Sequence, residues 1–397
     1  MFMLYYQYII TAILAAILIN FLINIVFFKN IKSFSLSDDI LKSPPLISVL
    51  IPARNEEEKI RRCLVSLLKQ DYPNFEIIVL DDNSLDNTSQ VVRAMAEKDK
   101  RIKLVSGKPL QAGWMGKCWA CQQLSEYANG KYFIFTDADT LHFSDTITKA
   151  FAALKNNNLD AISVFPSQIA VTFHERMTIP FVNFAILSFM PLFLIKKAKS
   201  SFFSTGIGQF FLFRRQAYEK MGGHRAIKAK MLEDIHISKQ VKKAGFKYMI
   251  FDGSSNVYHR FYRNFKEVMR GFSKFIYPAF GYNVFVETVA MLMFSIVFLF
   301  PFILLPAGIF IFEWSGLILT LGIVQIFLIF TIKIILAIRF KSRILDIIFT
   351  PISICYMLVV AANSYFQARF GKGLYWKERT YSFGVEDGEE VRFVEKH

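Results

Sequence analysis

Cysteine and histidine are scarce in this chain, four and six among 397 residues. Four cysteines beside a membrane anchor imply reduced thiols and exclude a disulfide framework. Cys118-Trp119-Ala120-Cys121 has redox or zinc spacing. No second cysteine pair or paired histidine completes a tetrahedral site, so these read as thiols of a helix. His142, His174, His236 and His259 have no close metal spacing and read as surface or supporting residues. No internal repeat or low-complexity segment is visible. Acids are outnumbered, 32 against 47 Lys and Arg, for a formal charge of +15. No recognition helix, RNA-binding aromatic signature or zinc-finger spacing accompanies that charge, which argues against nucleic acid as the partner. Basic residues near an anionic membrane surface gain about 1 kcal/mol each, and such a surface is the expected partner of the charge.

Apolar residues are abundant. The chain is 53% hydrophobic with 43 Phe, yet 20% charged, so part of it belongs in lipid. No charge precedes Lys29, and residues 8–28 form an apolar run long enough to cross about 30 Å of hydrocarbon. It lacks the basic n-region and small-residue cleavage site of a signal peptide, and reads as an uncleaved anchor. Lys29, Lys32 and Lys42 follow it, so the positive-inside rule puts the N-terminus outside and residue 30 onward in the cytoplasm.

Three further apolar stretches, residues 284–312, 317–338 and 345–363, are broken by Glu313-Trp314 and by Arg339-Phe340-Lys341-Ser342-Arg343. Pro301 and Pro306 predict a kink in the first. Three full crossings leave the tail outside, whereas Arg369, Lys372, Lys377 and Arg379 argue for the cytoplasm; an interfacial last stretch reconciles the two. Residues 178–195 are also apolar, but a crossing there would separate acids that must share one substrate. They are expected to lie in the interface, with Lys196, Lys197 and Lys199 at the headgroups.

Between the apolar ends stand four acidic stations: Pro52-Ala53-Arg54-Asn55-Glu56, Asp81-Asp82-Asn83-Ser84, Asp137-Ala138-Asp139 and Glu233-Asp234. Three follow or flank short β-rich runs, at residues 46–51, 75–80 and 131–135. Helical spacing of Ile60, Leu64, Leu67 and Leu68 follows the first run, and a polar-faced helix capped by Ser84 or Asp86 follows the second. A strand at 209–213, a helix at 214–221, the Gly222-Gly223 turn and a helix from about 233 to 244 complete the domain. Alternating strands and helices predict an α/β fold with a mostly parallel, doubly wound sheet, helices on both faces and ligands at the strand ends.

Asp137 and Asp139 at a strand end can offer two hard oxygen ligands to one divalent cation, Mg²⁺ or Mn²⁺, completed by phosphate and water. Such an ion neutralises the charge of a leaving diphosphate. A D-x-D triplet also occurs on solvated loops. Asp82 lies in a strand-to-helix loop, where a carboxylate accepts from a base imide or a ribose hydroxyl, or caps a helix. Arg54-Asn55-Glu56 alone reads equally as a polar turn. Glu233 and Asp234 suit the positive end of a helix dipole and also suit a general base.

Taken in order, Pro52-Ala53-Arg54-Asn55-Glu56-Glu57, Val79-Leu80-Asp81-Asp82-Asn83-Ser84, Thr136-Asp137-Ala138-Asp139 and Glu233-Asp234 resemble family 2 glycosyltransferases of the GT-A fold, over roughly residues 46–275. Gly113-Trp114-Met115-Gly116-Lys117-Cys118-Trp119-Ala120-Cys121, Phe213-Arg214-Arg215-Gln216-Ala217-Tyr218 with Gly222-Gly223-His224, and Tyr375-Trp376-Lys377-Glu378-Arg379-Thr380-Tyr381-Ser382 look like its lipid-modifying branch, which includes carotenoid-acid glucosyltransferases and hopanoid-associated enzymes. The resemblance implies that Ala53, Glu56 and Asp82 hold the nucleotide's uracil and ribose and that Lys117 lies beside it. It further implies that Asp137 and Asp139 bind metal and diphosphate, that Asp234 is the general base, and that Glu233 assists it. The family's Gln/Arg-x-x-Arg-Trp element has its nearest counterpart at Val268-Met269-Arg270-Gly271-Phe272-Ser273-Lys274, without the Trp. Arg270 and Lys274 are then candidates to neutralise diphosphate, and the missing Trp counts against a processive polysaccharide synthase. His224 is expected to border the acceptor pocket, and residues 178–195 and 202–213 to guide a lipid toward it.

The expected organisation is an anchor at 1–29, a linker at 30–45, a cytosolic GT-A domain at 46–283, transmembrane helices at 284–363 and a basic tail at 364–397. The expected activity is inverting transfer of a sugar, with UDP-glucose as donor, to a membrane lipid such as a carotenoid acid, hopanoid or glycerolipid at the plasma membrane. A processive synthase and a catalytically silent scaffold are the alternatives; the intact acids speak against the second.

Overall fold

The computed structural model describes residues 2–370, 374–376, 379–381 and 395–396. Two compact units make up the chain: an α/β unit of residues 28–169, 192–260 and 375–397, and a helical unit of residues 1–27, 170–191 and 261–374.

The α/β unit is built on eight strands: β1 Ile47–Ala53, β2 Phe75–Asp81, β3 Ile102–Ser106, β4 Tyr132–Thr136, β5 Leu141–His142, β6 Ala161–Gln168, β7 Phe210–Arg214 and β8 Tyr248–His259. Their order across the sheet is β3-β2-β1-β4-β7-β6-β8-β5. β3, β2, β1 and β4 run parallel, as do β6 and β8. β7 runs antiparallel between β4 and β6, and β5 antiparallel to β8, so the sheet is mixed and, as expected, mostly parallel. The β-branched and leucine runs form strands because both faces are covered. Ile47, Val49, Ile51, Ile77, Val79, Ile134, Leu212 and Phe251 have no more than traces of exposed surface, and each such residue stabilises the fold by about 1.5–3 kcal/mol. Helices Ile60–Leu68, Thr88–Ala96 and Glu233–Lys243 each bury one face, while Gly116–Tyr127 and Thr146–Asn156 are buried around most of their circumference.

In the helical unit, Phe2–Phe27, Val284–Phe310, Gly316–Arg339 and Ile344–Phe370 are each long and apolar enough to cross a membrane. Gln325 Nε2 donates to Gln7 Oε1 at 2.5 Å and to Thr11 Oγ1 at 3.2 Å, which ties the first helix to Gly316–Arg339. A π-turn at Ser295–Leu299 precedes Pro301, where the missing proline N–H leaves carbonyls of that turn to wider pairing.

Apolar residues 178–195 fall on three short helices, Phe173–Thr178, Pro180–Phe189 and Leu192–Lys197. The longest has ten residues and rises about 15 Å, half of what a crossing needs. Asn24 Nδ2 donates to the carbonyls of Leu187 and Met190, satisfying the open C-terminal end of Pro180–Phe189. Of the motif at 375–382, Lys377, Glu378 and Ser382 lie outside the described residues, as does Lys372.

Candidate active site

The strand register brings the first two stations together. Ala53 pairs with Asp81 at the C-terminal ends of β1 and β2, and the Asp82 N–H donates to the Ala53 carbonyl at 2.8 Å. Asn55 and Asn83 each adopt a left-handed backbone, φ 52° and 55°, which asparagine tolerates better than bulkier residues. The two loops are laced by Arg54 Nη1 to the Asp82 carbonyl at 2.7 Å, Asn55 N–H to Ser84 Oγ at 3.0 Å and Glu56 N–H to Thr88 Oγ1 at 2.8 Å. Asp81 is occupied structurally, accepting from the Ser84 N–H and the Ser89 hydroxyl. Arg54 and Asn55 therefore act as the polar turn that the sequence also allowed, while the buried Glu56 and Asp82 carboxyls stand at the strand ends.

Asp137 and Asp139 follow β4, whose Phe135 pairs with Leu50 of β1, so the third station joins the same edge of the sheet. Lys117, on the first turn of helix Gly116–Tyr127, places Nζ 2.7 Å from Asp137 Oδ1 and 2.7 Å from Glu233 Oε1. One ammonium thus bridges the third and fourth stations. Burial would lower its pKa, but the two carboxylates prevail and hold it well above the usual lysine value.

Asp139 lies 3.0 Å from His259 Nε2 and 3.2 Å from Lys59 Nζ. Burial raises its carboxyl, and His259 with Lys59 outweigh burial, holding it well below the usual carboxylate range. Asp234, at the start of helix Glu233–Lys243, accepts from the Ile235 N–H at 2.8 Å. Burial first, then the charge of Glu233, push it up to about 7, with Lys117 pulling the other way. The two adjacent acids therefore sit in opposed environments, one paired with a cation and one close to neutral titration, an arrangement that suits a general base.

Arg270 is a residue of the helical unit, on helix Phe265–Ala279, and not of the α/β unit that carries the acids. His224 is buried against Phe135, and its Nδ1 lies 2.7 Å from the Tyr218 hydroxyl; burial pushes its pKa down to about 3, so it is a neutral packing residue. His142 is likewise buried, 3.1 Å from Thr136 Oγ1, with its pKa down to about 3. All four cysteines are free, and burial raises Cys118 and Cys121, on helix Gly116–Tyr127, above the usual thiol value. Sequence reasoning passed over Lys59 and read His259 as a supporting residue. The signal for Lys59 is its position three residues after Glu56, across the turn that leads into helix Ile60–Leu68, 3.9 Å from that carboxylate.

Among the described residues no three His, Cys, Asp or Glu side chains form a ready-made metal cage. Mg²⁺ and Mn²⁺ bind through one or two carboxylates and take their remaining ligands from phosphate and water, and Asp137 and Asp139 are two carboxylates that could be offered to such an ion.

The family model for glycosyl transferase family 2 matches residues 48–222. The chain is 27% identical over 233 residues to 4,4'-diaponeurosporenoate glycosyltransferase of Staphylococcus haemolyticus, covering 57% of this chain and 60% of that one. It is 31% identical over 213 residues to the probable glycosyltransferase YdaM of Bacillus subtilis, covering 53% and 50%. The chain thus spans about half to three fifths of the length of these curated relatives. A solved mannosyltransferase of Pyrobaculum calidifontis, in complex with GDP-Man and Mn²⁺, aligns at 18% identity and TM-score 0.46 over 91% of this chain and 99% of its own.

Proposed function

We propose, from the match of residues 48–222 to the glycosyl transferase family 2 model, that this protein moves a sugar, with inversion, from a UDP-sugar such as UDP-glucose to a membrane lipid. The observation that carries this reading is the bridging of Asp137 and Glu233 by one lysine at the edge where β1 ends at Ala53 and β2 at Asp81, just before Asp82. A donor needs its nucleoside, its diphosphate and its anomeric carbon held in that sequence, and the stations follow the same sequence.

In this reading Ala53, Glu56 and Asp82 hold the nucleoside, Lys117 lies beside the diphosphate, and Asp137 with Asp139 hold a divalent cation. That cation, Mg²⁺ or Mn²⁺, would neutralise charge on the departing diphosphate. Asp234 takes the proton of an acceptor hydroxyl on the face opposite the leaving group, which is the requirement of direct displacement. Glu233 keeps Asp234 basic enough for that task by like-charge proximity. A carboxylic-acid acceptor, as in the carotenoid-acid relatives' name, arrives already ionised and asks less of Asp234. Arg270, on the amphipathic helix Phe265–Ala279, is assigned to the diphosphate only through the family resemblance.

The four membrane-length helices support a multi-pass protein. We assign the α/β unit to the cytosolic side of the plasma membrane, from the basic residues that follow the uncharged N-terminal helix.

Membranes carrying the full chain, given UDP-glucose and a lipid extract, should release UDP and yield a lipid heavier by one hexose in mass spectrometry. Products growing by many sugars would replace this reading with a processive synthase. UDP release that survives Asp139→Ala, or that proceeds without divalent metal, would overturn the site assignment.

A further inference from the structure

The Asp82 carboxylate is held by a residue from the far end of the chain. Arg379 Nη1 lies 2.5 Å from Asp82 Oδ2 and Nη2 lies 3.2 Å from Oδ1, a two-point fork between side chains that expose only 4% and 2% of their surface. The two residues are 297 positions apart. Arg379 belongs to the strand Arg379–Tyr381, which pairs with Glu395–Lys396 in a small sheet separate from the eight-stranded one.

A buried ion pair of this kind is costly to assemble, because both groups leave water, and its stability return is small. Its return in specificity is larger. A planar guanidinium fixes both carboxylate oxygens in one plane, which a lysine or a water does not. The remaining lone pairs of Asp82 are then aimed, and aimed acceptors recognise a hydroxyl or an imide N–H. Among the described residues, other groups that face Asp82 or lie within its field are Arg54, whose guanidinium binds the Asp82 carbonyl, the Asn83 side chain, and the Cys121 thiol on helix Gly116–Tyr127. Of these only Arg54 is a cation, and its guanidinium is spent on the carbonyls of Asp82 and Asn83.

We propose that Arg379 is a positioning residue for the donor nucleotide, orienting the Asp82 carboxylate toward the nucleoside. The proposal rests on the reading of Asp82 as a nucleotide contact. Burial pushes the Asp82 carboxyl up, and Arg379 is first among the groups that pull it down, so losing the guanidinium moves that carboxyl further up.

The test is steady-state kinetics of the full chain in membranes, with UDP-glucose varied at fixed lipid extract and Mg²⁺. Arg379→Gln should raise the donor KM about tenfold or more, the loss of one charge-assisted hydrogen bond, with little change in kcat. As the pH falls, its donor KM should climb from a higher pH than the parent's does. Arg379→Lys should return that climb toward the parent's position, since it supplies charge, without restoring the full KM, since it lacks the fork. In Asp82→Asn the further change Arg379→Gln should add little, because the group it orients is gone. If Asp82→Asn leaves the donor KM unchanged, the nucleotide reading of Asp82 fails. If Asp82→Asn raises it and Arg379→Gln does not, or if Arg379→Gln lowers kcat alone with no pH signature, the reading of Asp82 stands and the role of Arg379 is overturned.

Discussion

Lys117 and Glu233 form an ion pair of 2.7 Å, and the same ammonium is 2.7 Å from Asp137. A single cation therefore couples the proposed metal acid to the neighbour of the proposed base. Its field reaches Asp234 as well, lowering that carboxyl against burial and Glu233. In Lys117→Met the acid limb of the pH–rate profile should move upward, because the cation that pulls Asp234 down has gone. Turnover should fall by about a hundredfold or more, since two carboxylates lose a buried partner. A profile unchanged in position would dissociate Lys117 from the base.

Asp234 itself sets the second expectation. A carboxyl pushed up to about 7 is protonated below that pH and basic above it. With a hydroxyl acceptor kcat/KM should rise with pH through about 7, and Asp234→Asn should cost about 10²–10⁴-fold. With a carboxylate acceptor both effects should shrink toward nothing. Running the two acceptor types side by side on the same preparation checks this.

Chelation gives a third. Asp139 is ionised across the ordinary pH range because His259 and Lys59 hold it so, and metal dependence should not fade at mildly acidic pH on its account. EDTA should abolish sugar transfer, Mg²⁺ or Mn²⁺ should restore it, and Asp139→Ala should stay inactive at any metal concentration. Measuring hexose incorporation during metal titration reads all three.

Two glycines separate activity from stability. A Cβ at Gly208 would lie 2.8 Å from Lys117 Nζ and 3.2 Å from Glu233 Oε1, both ends of flexible side chains. Gly208→Ala should fold with nearly unchanged thermal stability and lose most of its turnover, because the bridge must open. A Cβ at Gly130 would lie 2.6 Å from the Ser48 backbone nitrogen and 2.9 Å from the Leu46 carbonyl oxygen, where nothing yields easily. Gly130→Ala should lose about 1–3 kcal/mol of stability while the folded fraction keeps its specific activity. Thermal unfolding and assay of the two variants together make the comparison.

The elements that carry the acids were legible because local pattern suffices for them. β1, β2 and β4 are short runs of β-branched or aromatic residues that end in charge, and helix Glu233–Lys243 begins with its acids in the first turn. β3, β6 and β8 were not read, since alternating or Gly- and Ser-bearing segments such as Tyr248–His259 carry no run of that kind and are strands because of their neighbours in the sheet. The same physics hid the partners of the acids. Lys59 to Asp139, Asp139 to His259 and Asp82 to Arg379 join residues 80, 120 and 297 positions apart, and no local window contains both members of such a pair. Only the acids, which recur at strand ends, announce themselves.

The fork between Asp82 and Arg379 is also a statement of parity. Two buried side chains that share hydrogen bonds share a side of any bilayer, so in the proposed multi-pass reading the chain between residues 260 and 375 crosses an even number of times. That stretch holds three membrane-length helices, an odd number. One of them, Ile344–Phe370, is tied to the amphipathic helix Phe265–Ala279, where Asn363 Nδ2 donates to Ser273 Oγ at 2.8 Å and the Tyr277 N–H donates to Ser364 Oγ at 2.9 Å. One ion pair thus turns an open-ended count of spans into arithmetic.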